Sequence, residues 1–494
     1  SILLVQLLRL VSDYWDFYDD FNFYENQKSK TRPPGPGRRR LLCPLSPARP
    51  TLFHRWFTHH LCFNKMMLKH VVSIVVLGIL LYLVQLKHTT FVSTPPSLDH
   101  GSEFAEFLAT ARANTPSITN SVQSKTFLVI GGNGFTGGYL VEDLLQRGAV
   151  QVRILSRKGQ PSKVSKVAAQ AAQRGQLVWF KGSMNDARAV AEAVQDVHVV
   201  YLLAAHYGSP TFSRYGDWSD RKTKEVNIQG TQLVVDACKA SPSTRLLVYT
   251  SSSDVVFDRT ASVNRTEDTT HYPSNPSCHY LRTKGQGEHA LLQANDPTGE
   301  QGGLTTVALR PSGIYGPGED FFMPKVVAPG WMTKSIGLGA FFYFDQTHVS
   351  DMIFVYNLIL AEELVLTTWE RDPLVVGGQA YFITDGQAVN LAAWEAWRPV
   401  FDRLQIPLRR WLWIPTPVLV FIATWSEWLL HHLRELGVCD VAPMLTEHEA
   451  WRATTTMHHS IEKAKQHLNY VPLVNTSVGM GWLGEEMVRR YAGL

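Results

Sequence analysis

Tyr280 and Lys284 stand four positions apart, close enough to share one face of a helix. A phenol ordinarily keeps its proton up to a pH near 10, and neighbouring positive charge favours the phenolate. A phenolate so formed can take the proton of an alcohol while hydride leaves the carbinol carbon. Ser252, 28 positions earlier, offers a hydroxyl to hold the same oxygen, and Ser253 is the alternative within the run Ser251-Ser252-Ser253. A tyrosine and lysine at this spacing are weak evidence alone. Tyr24 and Lys28 make the same pattern in a segment with none of these surroundings.

Such chemistry needs a hydride acceptor, and a turn able to hold one begins 149 positions before Tyr280. The turn is Gly131-Gly132-Asn133-Gly134-Phe135-Thr136-Gly137, after the apolar run Thr126–Ile130 and before an amphipathic stretch from Tyr139 to Arg147. Strand, glycine turn and helix form the context of a dinucleotide site. Gly131 permits the tight turn, Gly134 the approach of the pyrophosphate and Gly137 the packing of helix on strand, with the phosphates at the helix N-terminus. The next strand, Val152–Leu155, ends at Ser156-Arg157-Lys158. A carboxylate there would hold a ribose 2′-hydroxyl and select NAD. A serine followed by two cations suits a 2′-phosphate instead, so NADP is expected over NAD.

The elements that must position these groups recur at α/β intervals. Apolar runs at Leu177–Phe180, His198–Leu203 and Arg245–Tyr249 alternate with helical patterns such as Ala187–Val194 and Ile228–Ala240. They predict an α/β fold with a doubly wound parallel Rossmann sheet, a smaller C-terminal substrate lobe and an N-terminal membrane anchor. The expected divisions are an extension or disordered tail at 1–65, the anchor at 66–90, a linker at 91–124 and the enzyme at 125–494. Within the enzyme, the Rossmann core runs to about 315 and the lobe and a membrane-associated segment from about 316.

Composition narrows the function classes. A net charge of +4 over 494 residues, part of it in Arg38-Arg39-Arg40, gives no basis for a nucleic-acid partner. Five scattered cysteines without C-x-x-C spacing argue against a disulfide framework or a zinc site. His448-Glu449 begins like a zinc-binding helix, but Arg452 stands where the second histidine would be. Val71 to Leu86 holds 16 uncharged residues between lysines, and Trp411 to Leu430 carries four tryptophans around a lone charge, Glu427. The first reads as the anchor. The second reads as a shallow insertion into membrane lipid, because tryptophan favours the interface and Glu427 makes full spanning costly. Asn264 and Asn475 begin glycosylation triplets, which leave the side of the membrane open.

Further stretches make the chain resemble the 3β-hydroxysteroid dehydrogenase family of extended short-chain dehydrogenases/reductases. They include Val226-Asn227-Ile228-Gln229-Gly230-Thr231, Tyr249-Thr250-Ser251-Ser252, Leu309–Pro317, Phe354-Val355-Tyr356-Asn357 and Ala380–Thr384. The resemblance implies catalytic Ser252, Tyr280 and Lys284, with Asn227 in support. It also implies cofactor binding through Gly131, Asn133, Gly134, Phe135, Gly137, Ser156, Arg157 and Lys284, with no metal. Ser252–Asp258, Asn295-Asp296-Pro297 and the Trp411 segment are closer to sterol-4α-carboxylate 3-dehydrogenases. That implies a sterol or steroid substrate, oxidation of its 3β-hydroxyl, loss of a C4 carboxylate, and a place at the endoplasmic reticulum membrane with the catalytic part in the cytosol. Three positions depart from the family. Ile130 replaces a common threonine, Ser156 the usual acid and Tyr356 a commonly acidic residue. A steroid dehydrogenase/isomerase, another reductase of apolar alcohols and a non-catalytic, NADP-sensing membrane scaffold are the competing readings.

Overall fold

Seven short strands, nearly all apolar, run side by side in one parallel sheet, the pattern expected when helices cover both faces. They are seen in a computed structural model that describes residues 102–491, apart from 209–211, 216, 299–302, 321–322, 335–339, 344–346, 390–395, 439–441 and 444. The expected extension and membrane anchor (1–90) lie outside the described residues. The strands are β1 (Thr126–Ile130), β2 (Gln151–Ser156), β3 (Leu177–Lys181), β4 (Val199–Leu202) and β5 (Leu246–Thr250), then β7 (Thr305–Pro311) and β11 (Ala380–Ile383). Their order is β11-β7-β5-β4-β1-β2-β3. Chain order reverses between β1 and β4, and ligands of open α/β sheets sit at the carboxyl ends beside such a reversal.

A second sheet joins β6 (Ser262–Arg265), β10 (Ser350–Phe354), β12 (Ala388–Val389) and β14 (Met457–His459), with β8 (Gly313–Tyr315) pairing to β10. A two-stranded ribbon pairs β9 (Ala340–Tyr343) with β13 (Leu408–Trp413).

Two expectations change here, and a third segment gains structural detail. The linker at 91–124 is folded from Ser102 onward, as helices Ser102–Ala113 and Pro116–Gln123. Phe104, Leu108, Ile118 and Val122 recur at helical spacing and are buried in the main core, although polar residues dominate between them. The Rossmann sheet also does not end near 315, because Ala380–Ile383 pairs with β7 as its outer strand. Finally, the segment Trp411 to Leu430 divides into the end of β13 and the start of a helix, Thr416–Glu435. Leu419, Ala423 and Glu427, spaced by four, form its buried stripe. Glu427 is a tether rather than a misfit: it accepts from Ser213 Oγ (2.7 Å) and the backbone N–H groups of Arg214 (2.9 Å) and Glu447 (3.0 Å). No helix among the described residues is long and apolar enough to cross a membrane.

Candidate active site

The glycine turn leaves β1 with Gly131 at φ +101°, in the left-handed region that a Cβ disfavours. Four residues on, the helix Phe135–Gln146 starts directly over the turn. A Cβ at Gly137 would stand 2.3 Å from the Gly131 carbonyl oxygen, so that approach requires glycine. Asn133 ties the turn to the end of β2, donating through Nδ2 to Ser156 Oγ (2.9 Å) and to the Gly159 carbonyl (2.9 Å). Its Oδ1 accepts from the Trp179 indole (3.1 Å). Ser156 thus faces the turn, and Arg157 and Lys158 follow it in the open. Phe135 packs edge-on against Tyr139, whose hydroxyl donates to the Pro317 carbonyl (2.7 Å).

Tyr280 and Lys284 lie in the first half of the helix His279–Gln293, both buried. The helix packs against the 3₁₀ turn Ser253–Val256 that follows β5. Ser252 caps that turn, its Oγ accepting from the Asp254 N–H (3.2 Å), which leaves its own proton to donate elsewhere. Ser253 is fully buried and donates to Asp254 Oδ1 (3.3 Å), so of the two serines Ser252 has the more accessible hydroxyl. Asn227 locks the region from below. It donates to the His206 carbonyl (2.9 Å) and Thr283 Oγ1 (3.0 Å) and accepts from the His206 N–H (2.8 Å), joining the segment after β4 to the helix that carries Tyr280.

The electrostatics correct the simplest expectation for this pair. Burial pushes the Tyr280 phenol well above its ordinary range, and Tyr207, Tyr249 and Asp254 add to the rise. Burial also lowers Lys284 to about 7, against the pull of Glu288 and Glu362. The protein alone therefore holds Tyr280 as a neutral phenol, because burial disfavours its charged form. Lys284 Nζ is buried with no hydrogen-bond partner among the described residues, as expected of a donor shaped for a ligand's hydroxyls. With the glycine cradle, this donor fits a dinucleotide with its nicotinamide ribose at Lys284 and its phosphates on the turn.

Sequence reasoning missed two residues close to this pair. Tyr249 places its ring 3.8 Å beneath Lys284 Nζ. Glu362, buried in the helix Val355–Arg371, accepts from Thr250 Oγ1 (2.5 Å) and is raised by burial to about 7. Two adjacent carboxylates in the run Leu358–Leu366 were the available signal, since acids in a buried helix need a purpose. Tyr356, one of the departures, is buried and donates to Asp143 Oδ1 (2.8 Å).

Comparison with known proteins places the chain in a family. The profile of the 3-beta hydroxysteroid dehydrogenase/isomerase family matches residues 128–413. The chain is 33% identical to human short-chain dehydrogenase/reductase family 42E member 1, over 70% of this chain and 84% of that one. It is 27% identical to the sterol-4-alpha-carboxylate 3-dehydrogenase, decarboxylating, of Candida albicans, over 75% of this chain and all of the other. Among solved structures, the epimerase Mth375 of Methanothermobacter thermautotrophicus superposes with a TM-score of 0.54 at 18% identity, covering 76% of this chain and 97% of that one. That likeness concerns the fold. The chain is an NAD(P)-dependent oxidoreductase and belongs to the 3-beta hydroxysteroid dehydrogenase/isomerase family.

Proposed function

We propose that this enzyme oxidises the 3β-hydroxyl of a 4α-carboxysterol to the 3-ketone, that carbon dioxide leaves from C4, and that NADP is preferred to NAD. The observation that carries the reading is the buried pair Tyr280 and Lys284 beside the Ser252 cap, at the carboxyl ends of the strands. When bound, the oxidised nicotinamide supplies the hydride acceptor and a positive charge. Ser252 donates to the sterol oxygen and fixes its direction. Tyr280, its phenolate now favoured, takes the hydroxyl proton. The ketone then stands β to the carboxylate. The bond from C4 to the carboxyl carbon breaks, its electron pair moves to the ketone oxygen, and Ser252 and Tyr280 can donate hydrogen bonds to the enolate that forms.

The likeness to the Candida enzyme, which covers that protein's whole length, supports the carboxysterol reading. Ser156 and the open Arg157 support NADP, because a guanidinium pairs with a 2′-phosphate where a carboxylate would repel it. The membrane reading rests on exposed Trp413, Val418 and Phe421, at the start of the helix Thr416–Glu435 and just before it. In this reading they enter lipid at the endoplasmic reticulum, with the catalytic part in the cytosol.

Purified protein is given a 4α-carboxysterol or a plain 3β-hydroxysteroid, each with NAD and with NADP. Carbon dioxide release and cofactor reduction on the carboxysterol alone support the proposal. Equal turnover of the plain steroid replaces it with a steroid dehydrogenase, and silence on both removes the sterol reading.

A further inference from the structure

The residues that fail as a zinc motif, His448-Glu449 and Arg452, lie on one helix, Glu447–Thr454, in the C-terminal part of the chain. Glu449 closes that helix's own capping box with Thr446 and pairs with Lys325. His448 and Arg452, four apart, instead converge on Asp254. Arg452 Nε donates to Asp254 Oδ1 (2.9 Å), and His448 Nε2 lies 3.5 Å from Asp254 Oδ2. Arg452 is held in turn by Ser350 Oγ (2.8 Å) at the start of β10.

The other face of the same imidazole reaches the second catalytic element. With the proton on Nε2, His448 Nδ1 accepts from Ser277 Oγ at 2.8 Å. Ser277 lies three residues before Tyr280, just ahead of the N-cap of its helix. His448 and Ser277 are both buried to within 2% of full enclosure. The imidazole also packs on Phe212 (ring centroids 5.2 Å apart), which packs on Tyr280 (5.3 Å). One side chain thus touches the anchor of the Ser252 loop, the start of the Tyr280 helix and the aromatic wall between them.

We propose that His448, backed by Arg452, is a positioning residue that sets the Ser252 hydroxyl and the Tyr280 phenol to one distance, by holding Asp254 and Ser277 at once. This rests on the assignment of Ser252 and Tyr280 as the reacting groups. Asp254 is what His448 and Arg452 act through. Its amide donates to Ser252 Oγ and its carboxylate accepts from the Ser253 hydroxyl, so a displaced Asp254 frees both serines. The Ser277 contact does the same for the helix that carries Tyr280.

The test compares His448→Ala, His448→Gln and His448→Asn in the full chain, with kcat, KM and cofactor affinity measured on whichever alcohol the wild type turns over. Glutamine can place a donor where Nε2 stood, facing Asp254, and asparagine an acceptor where Nδ1 stood, facing Ser277. His448→Ala is expected to lose about 100-fold in kcat, the scale of a misplacement near 1 Å, with cofactor affinity within about twofold. Glutamine and asparagine each recover part of that loss. A kcat within twofold of wild type for His448→Ala overturns the proposal. So does a loss matched by equal loss of cofactor affinity in all three variants, which marks a fold defect. If His448→Ala does not fold, the other two carry the comparison. A wild type silent on every sterol removes the substrate reading, and the clamp is then judged by hydrogen exchange of cofactor-bound protein. Segments 251–257 and 277–284 are expected to exchange about tenfold faster without His448, and unchanged protection overturns the proposal.

Discussion

Lys284 Nζ stands 3.8 Å over the ring of Tyr249, with no hydrogen-bond partner among the described residues. A cation over an aromatic face is attracted by the ring quadrupole, but this replaces only part of the hydration that burial removes. The ammonium is therefore costly in the protein alone and better compensated once ribose hydroxyls reach it.

That cost has a sign that stability can read. Lys284 falls to about 7 in the folded state from an unfolded value of 10.5, so between those values the unfolded chain binds more protons. Its contribution to stability therefore rises as pH increases from 7 to about 10 and is least favourable below 7. Glu362, raised from 4.5 to about 7, acts oppositely and loses stability between those values. In cofactor-free protein, Lys284→Met should flatten the rise of thermal stability measured from pH 7 to 9. Wild-type and variant curves that stay parallel there would remove the assignment.

Tyr280→Phe deletes the hydroxyl assigned to take the alcohol proton in the proposed reaction and leaves the ring among Tyr207 and Phe212. Turnover should fall by about 10³, within the range of general acid–base catalysis. Cofactor affinity, followed by nucleotide fluorescence, should stay within about twofold of wild type.

Arg157→Asp tests the cofactor reading. Loss of a charge-assisted contact to a 2′-phosphate is worth about 1.5–3 kcal/mol, or 10- to 100-fold. The ratio of kcat/KM for NADP over NAD should drop by that factor. An unchanged ratio would return the choice of cofactor to Ser156 and Asn133.

Glu427→Ala strands three donors, from Ser213, Arg214 and Glu447, in a buried site. The cost is expected at about 1–3 kcal/mol, read as a lower denaturant midpoint. Glu427→Gln keeps an acceptor oxygen and should lose less. By contrast, replacing the exposed Trp413, Val418 and Phe421 with serine should leave that midpoint within about 0.5 kcal/mol per position. The same change should weaken sedimentation with phospholipid vesicles about tenfold or more.

Much of this site could be read before the structure, for identifiable reasons. β1 to β5 end within a residue or two of their apolar runs, because a strand covered on both faces has no polar alternation to blur it. The glycine turn was legible because positive φ and close helix packing leave few options at Gly131 and Gly137. What stayed hidden depends on partners distant in sequence. Nothing around Ala380–Ile383 says that it lies beside Thr305–Pro311, and the spacing of Tyr280 and Lys284 says nothing of how dry both are. The role of His448 was hidden for the same reason, since its polar contacts, Ser277 and Asp254, lie 171 and 194 positions upstream.

The placement of Ala380–Ile383 at the outer edge of the sheet reaches into the life of the nascent chain. Until ribosomes have passed residue 383, β7 has no neighbour on that side, and a bare apolar strand edge invites pairing with other chains. A transcript truncated after Lys284 but before that point would carry all three residues assigned to the proposed reaction. It would still yield a polypeptide destined for aggregation or degradation rather than a smaller enzyme.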